Sequence, residues 1–152
     1  HSMKKILLTF LLIAFSIAIN AQTIFGKWYS KDEIGKINSV IEVYEKNGKA
    51  FGKIIELWYR GSRVTDPKGQ NEVCDLCEGE NKGKKKLGLN ILADLEKDGN
   101  EWSGGTILDP ENGKIYTCYI ELINPHKLKI RAYLGISLLG RTVYFERVGV
   151  QL

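Results

Sequence analysis

WSGGTILDPENGKIYTCYIELINPHKLKIRAYLGISLLGRTVYFERV, residues 102–148, is the stretch that decides the fold. Runs of aliphatic, aromatic and β-branched residues at 102–108, 115–123, 128–134 and 141–148 are broken by Asp109-Pro110-Glu111-Asn112-Gly113 and by Asn124-Pro125-His126. Both interruptions are built from residues that favour turns. Within 115–123 the alternation has a period of two: Tyr116, Cys118, Ile120 and Leu122 share one face, and Thr117 and Glu121 take the other. The stretch predicts antiparallel hairpins with one face turned to a core.

Working outward, the same pattern recurs at 24–30, 37–45, 50–59 and 89–97, which brings the expected strands to eight. Lys46-Asn47-Gly48-Lys49 and Lys97-Asp98-Gly99-Asn100 carry the Asn-Gly and Asp-Gly signals of tight hairpins. Eight antiparallel strands joined in sequence predict an all-β, eight-stranded up-and-down barrel, which has no exposed edges and can hold side chains plus one small ligand. Leu89, Leu92 and Leu95 are also spaced for one face of a short helix, and we expect a strand there. Residues 60–87 are too many for a hairpin loop and predict a lid or packed flap.

The chain has 152 residues. His1 and Ser2 read as a tag remnant, and Met3, Lys4, Lys5 and the apolar run that follows read as a signal peptide cleaved after Ala21. The apolar run is too short to span a bilayer. Residues 22–152 are then one exported barrel domain, periplasmic or secreted, with no transmembrane segment. Without Lys4 and Lys5 the 22 basic residues fall to 20 against 18 acidic ones, which speaks against nucleic acid as a partner. The basic loop from Lys82 to Lys86 is expected to be solvated.

Cys74-Asp75-Leu76-Cys77 admits a redox dithiol, half of a zinc site completed by Cys118 and His126, or a local disulfide. Asp75, Glu78 and Glu80 disfavour a thiolate, and an exported setting oxidises thiols. We therefore expect a Cys74–Cys77 disulfide that pins the flap, with Cys118 in the core, and neither metal nor cofactor. The histidine of this segment, His126, falls in a turn, which leaves no triad for nucleophilic catalysis and points away from an enzyme. Gly26, Trp28 and Arg147 form the barrel closure expected where first and last strands meet, with the guanidinium on the indole. Trp102, Tyr116, Arg131, Tyr133, Arg141 and Tyr144 supply the aromatic and cationic groups expected to line a cavity for a small hydrophobic or amphipathic ligand. If Leu128, Ile130, Ala132 and Leu134 point inward, Arg131 and Tyr133 point outward. Burial of a long alkyl tail, at about 0.8 kcal/mol per methylene, suffices for such binding.

The ordered series Gly26-Lys27-Trp28, Cys74-Asp75-Leu76-Cys77-Glu78-Gly79, Gly88 with Ile91-Leu92, Trp102-Ser103-Gly104-Gly105, Asp109-Pro110 with Gly113-Lys114 and Tyr116, Leu128 with Arg131, and Leu139-Gly140-Arg141-Thr142 resembles domain of unknown function 2147, a family of small exported bacterial proteins. The chain departs from it with Lys86-Leu87 ahead of Gly88, where a proline is frequent, and with Ala132 between Arg131 and Tyr133, where a glycine is frequent. The resemblance implies a lipocalin-like, calycin-like barrel and no established ligand. The expectation is a ligand-binding barrel; the alternative is a filled, non-catalytic envelope module whose flap contacts another protein. Oligomeric state is not readable.

Overall fold

Eight strands close on themselves through a continuous antiparallel ladder, in a computed structural model that describes residues 23–136 and 139–149. The expected tag remnant and signal peptide, residues 1–21, lie outside the described residues. In chain order the strands are β1 (Gly26–Lys31), β2 (Ile37–Lys46), β3 (Lys49–Tyr59), β4 (Ser62–Arg63), β5 (Asn90–Asp98), β6 (Glu101–Leu108), β7 (Ile115–Asn124), β8 (Lys127–Tyr133) and β9 (Gly140–Arg147). The two-residue β4 only extends a hairpin from β3, and the other eight pair in the order β2-β1-β9-β8-β7-β6-β5-β3, with β3 returning to β2. The expected eight-stranded up-and-down barrel is the observed fold.

The run containing Leu89, Leu92 and Leu95 is strand, and a bulge explains its helical spacing. Leu92 opposes Gly52 and Leu95 opposes Ala50, so three steps on β5 match two on β3, and Asp94 takes φ 59°. Both leucines thereby face the interior and are fully buried. A similar irregularity lets Trp102 oppose Ile120 and Gly105 oppose Cys118. Strict alternation would have sent one member of each pair outward.

Trp28, Val43, Ala50, Leu95, Leu128 and Phe145 pack the end of the barrel where β1 begins and β9 finishes. Ile41, Cys118, Ile120 and Ile130 form the middle of the core, each at 0% exposure. Burying such side chains is the main stabilising contribution to the fold, at roughly 1.5–3 kcal/mol for each large one.

The excursion between β3 and β5 packs on the outside of the wall. Ile91 and Leu108 flank the opposed pair Leu92 and Ile107 on the outer phase, yet both are buried. The flap covers them: Cys74 Sγ lies 3.7 Å from the Pro110 carbonyl oxygen, and Gly113 sits so close under Leu76 that a Cβ there would overlap its carbonyl. Gly113 also has φ 74°, so both its backbone and its missing side chain suit the turn. Lys86 differs from the solvated loop expected for it. Its side chain is 11% exposed and pairs with Glu72 at 3.1 Å and Glu111 at 3.7 Å, tying the flap to the β6–β7 turn.

Candidate functional site

The two ends of the barrel differ. At the end where β1 begins, Arg147 lies over the Trp28 ring, with its guanidinium carbon 4.2 Å from the ring centroid. Trp28 and Arg147 are registered opposite each other across β1 and β9, so the contact follows from strand pairing. Arg147 donates from Nε to the Pro125 carbonyl at 2.6 Å, from Nη1 to Phe25 at 3.0 Å and from Nη2 to the Thr23 carbonyl. Trp28 Nε1 donates to the Ile24 carbonyl at 2.8 Å. Burial lowers the Arg147 pKa from its ordinary value. Four groups, the Trp28 ring and the carbonyls of Thr23, Phe25 and Pro125, are thus drawn together by one guanidinium, and the segment before β1 is held across the barrel base. A Cβ on Gly26 would stand 2.9 Å from Arg147 Nη1, and Gly26 takes φ 128°.

Phe25 meets Trp102 edge-on at 5.6 Å, and the two line a groove of about 290 Å³ at this closed end with Thr23, Lys97, Asn100 and Leu122. Trp102 is therefore on the inner phase at the base, away from the other residues expected at a cavity.

At the opposite end, from which the β1–β2 loop, the flap and the β6–β7 turn leave the wall, the inner wall is only partly covered. Ala132 opposes Cys118 and Arg141; Val143 opposes Ile130; Ile107 opposes Leu92 and Tyr116. Each is on the inner phase by register, yet Ile107, Tyr116, Ala132 and Val143 are half-buried and Arg141 is exposed. Ser30, opposite the buried Ser39, completes the wall on the β1 side. The result is a cup floored by Ile41, Cys118, Ile120 and Ile130. Its rim is apolar, with Ile34, Tyr59, Ile115, Leu134, Ile136 and Leu139 all exposed.

One seam of the cup is thinly closed. β1 and β9 share two registered pairs, Trp28 with Arg147 and Tyr29 with Glu146, the fewest between neighbours in the barrel. Toward the cup, side chains bridge the two elements instead. Lys31 Nζ meets Glu146 at 2.7 Å, and Arg141 Nη2 meets Glu33 at 3.4 Å.

Arg131, Tyr133 and Tyr144 stand on the outer phase of β8 and β9, since Ile130 and Leu128 between and beside them are fully buried. Arg131 Nη1 donates to Thr142 Oγ1 at 3.1 Å, and Lys127 lies 4.4 Å above the Tyr144 ring. The six residues expected around one ligand therefore divide into Trp102 at the base, Tyr116 and Arg141 at the cup, and Arg131, Tyr133 and Tyr144 on the outer wall. Sequence reasoning did not single out Ile107, Val143, Ser30 and Glu33, and it placed Ala132 with the inward set of β8 without naming it as a site residue. The alternation in 128–134 contained the signal for Ala132, but the phase of 141–148 needed the β8–β9 register.

Cys74 and Cys77 form the expected disulfide. Sulfurs bonded to each other are not thiolates, which removes the zinc and dithiol alternatives in this oxidised state. Cys118 is buried in the inner wall, and burial pushes its thiol pKa up to about 12. His126 lies in the β7–β8 turn, where its carbonyl accepts from the Arg147 backbone N–H.

A family model described as "Uncharacterized protein conserved in bacteria (DUF2147)" matches residues 26–147. Among solved structures, the chain is similar to HP1028 from Helicobacter pylori, described as belonging to the lipocalin family. The identity is 20% and the TM-score 0.63, over 81% of this chain and 80% of that one. The likeness shows a lipocalin-like barrel. None of the curated proteins matches the sequence.

Proposed function

The chain belongs to the bacterial DUF2147 family, and from that premise we propose that it is an exported binding protein which takes up a small hydrophobic or amphipathic molecule in the cup at the flap end of its barrel. One observation carries the proposal: Ile107, Ala132 and Val143 face inward by register and are left half-buried, whereas Trp28, Val43, Ala50, Leu95, Leu128 and Phe145 toward the base are sealed. An apolar inner wall that water reaches gains free energy when an apolar ligand covers it. The base, shut by Trp28 and Arg147, leaves the flap end as the entrance. Export is supported by the disulfide and by the leader expected at residues 1–21. Among the described residues no helix is long and apolar enough to cross a membrane.

Native mass spectrometry of protein purified from the exported compartment tests the proposal. A mass lost on organic denaturation is expected, and its composition identifies the ligand. A bare mass that persists after incubation with a total lipid extract would overturn it.

A second reading has its own observation. The exposed rim residues Ile34, Leu134, Ile136 and Leu139, with Leu76 on the flap, also suit an envelope protein contact over a filled barrel. The same experiment separates the two readings, since a filled barrel takes up nothing.

A further inference from the structure

We infer that the molecule taken up at the cup is an amphiphile with an anionic head, and that this head takes Arg141 from Glu33; the inference rests on the uptake proposed above. Arg141 is registered opposite Ala132, and Ala132 opposite Cys118, which places it on the inner wall one pair short of the end of β9. Its side chain is 68% exposed and meets Glu33, itself 85% exposed, at 3.4 Å. A pair so open to water holds weakly. A carboxylate, sulfonate or phosphate offered from the cup can accept two parallel N–H bonds from the same guanidinium, which one oxygen at that distance does not provide.

The wall below Arg141 fixes the rest of the ligand. Val143 is two residues down the strand and half-buried, and Phe145, two residues further, is 3% exposed. The open depth is therefore at most four residues of strand, roughly 13 Å. Ser30, Ser39, Ile107, Ala132 and Val143 bear no formal charge, so the wall suits an uncharged tail while Arg141 sets the sign of the head. Arg147, the cation at the other end of β9, is committed to carbonyls at the base. A ligand that fits is short, or leaves part of its tail at the apolar rim. Glu33 belongs to the β1–β2 loop, so its displacement also releases one of the two ion pairs that bridge the β1–β9 seam.

Methyl NMR titration of the full chain with octanoate, octanol and octylammonium tests this, reading Ile107, Ala132 and Val143. Octanoate is expected to bind tightest of the three, by about tenfold over octanol. Arg141→Gln is expected to bring octanoate down to the octanol value while leaving octanol unchanged. Glu33→Gln, which removes the competing acceptor, is expected to raise octanoate affinity alone. Equal binding of the three probes, or octanoate binding insensitive to Arg141→Gln, would overturn the inference and leave uptake standing. Shifts with none of the probes would overturn uptake and the inference together. A free acid and an anionic bilayer lipid share this chemistry. Phosphatidylglycerol vesicles that shift the same methyls, with loss in Arg141→Gln, would assign the lipid as the source; shifts with octanoate alone would assign the free acid.

Discussion

Arg147 and Trp28 are registered partners whose side chains stack, and the stack lets one guanidinium satisfy carbonyls from Thr23, Phe25 and Pro125. A planar, five-donor group is needed, because three carbonyls converge from two chain segments while the ring occupies one face. Arg147→Lys keeps the charge but reaches one or two of those acceptors. We expect it to lower stability by about 1–2 kcal/mol and Arg147→Ala by about 3, as measured by denaturant unfolding. A lysine variant as stable as the parent would show that charge alone closes the base.

Gly26→Ala tests the same closure from the backbone side. The new Cβ would meet Arg147 Nη1 at 2.9 Å in a residue at φ 128°, a conformation that side chains rarely adopt. The guanidinium cannot swing away without releasing its carbonyls. The expected loss is about 1–3 kcal/mol. Combined with Arg147→Ala, the cost should fall short of the sum, because the steric partner is gone. Full additivity would place the strain in the backbone alone.

Periodicity and turn chemistry made the eight strands and their hairpin turns legible, and the places of Trp28 and Arg147 on the first and last strands pointed to their stack. The leucines of β5 were ambiguous because a bulge at Asp94 places residues three apart on one face, and a bulge has no strong signature in the local pattern. The site was less legible. Whether Arg131 or Arg141 faces the interior depends on the pairing of β8 with β9, and both strands carry polar residues at alternate positions. Glu33 reaches Arg141 from 108 residues away, a relation that only barrel closure creates.

The Cys74–Cys77 disulfide closes a very short ring, and its stabilising contribution by chain entropy is on the order of 2 kcal/mol. Because the flap packs outside the wall, its loss is expected to loosen the flap before the barrel. Cys74→Ser with Cys77→Ser should speed amide exchange at Val73 to Leu89 while the exchange of Ile120 and Ile130 stays slow. Uniform acceleration throughout the barrel would mean that the flap is part of one cooperative unit.

Cys118 makes stability depend on pH at the alkaline end. Its folded pKa, pushed up to about 12 by burial, exceeds the ordinary value of 9.0, so the folded state favours the neutral thiol. The contribution is fully present below pH 9 and is lost as pH rises from there through about 12, because the unfolded thiol ionises first. Cys118→Ala is expected to show a shallower fall in stability over that window than the parent. Iodoacetamide labelling of the native parent should stay slow at pH 9, and rapid labelling there would show that the inner wall opens without unfolding.

The seam between β1 and β9 should be the first part of the barrel to open. Elsewhere neighbouring strands share three or more registered pairs, while this pair has two and relies toward the cup on the ion pairs Lys31–Glu146 and Glu33–Arg141. Exposed ion pairs are weak and screened by salt, whereas ladder hydrogen bonds are not. Native-state hydrogen exchange is therefore expected to be fastest, among barrel-strand amides, at Ser30 and Lys31 on β1 and at Thr142 to Tyr144 on the facing part of β9. Glu146→Gln should accelerate exchange at those amides at low salt by removing one bridge, and the difference from the parent should shrink as salt is raised. If a ligand entering the cup spans both walls of the seam, the same amides should slow on binding, since covering Ser30 on one wall and Val143 on the other replaces the missing ladder with packed contact. Exchange at the seam as slow as in β7 and β8 would show that the two registered pairs are enough to close the barrel rigidly.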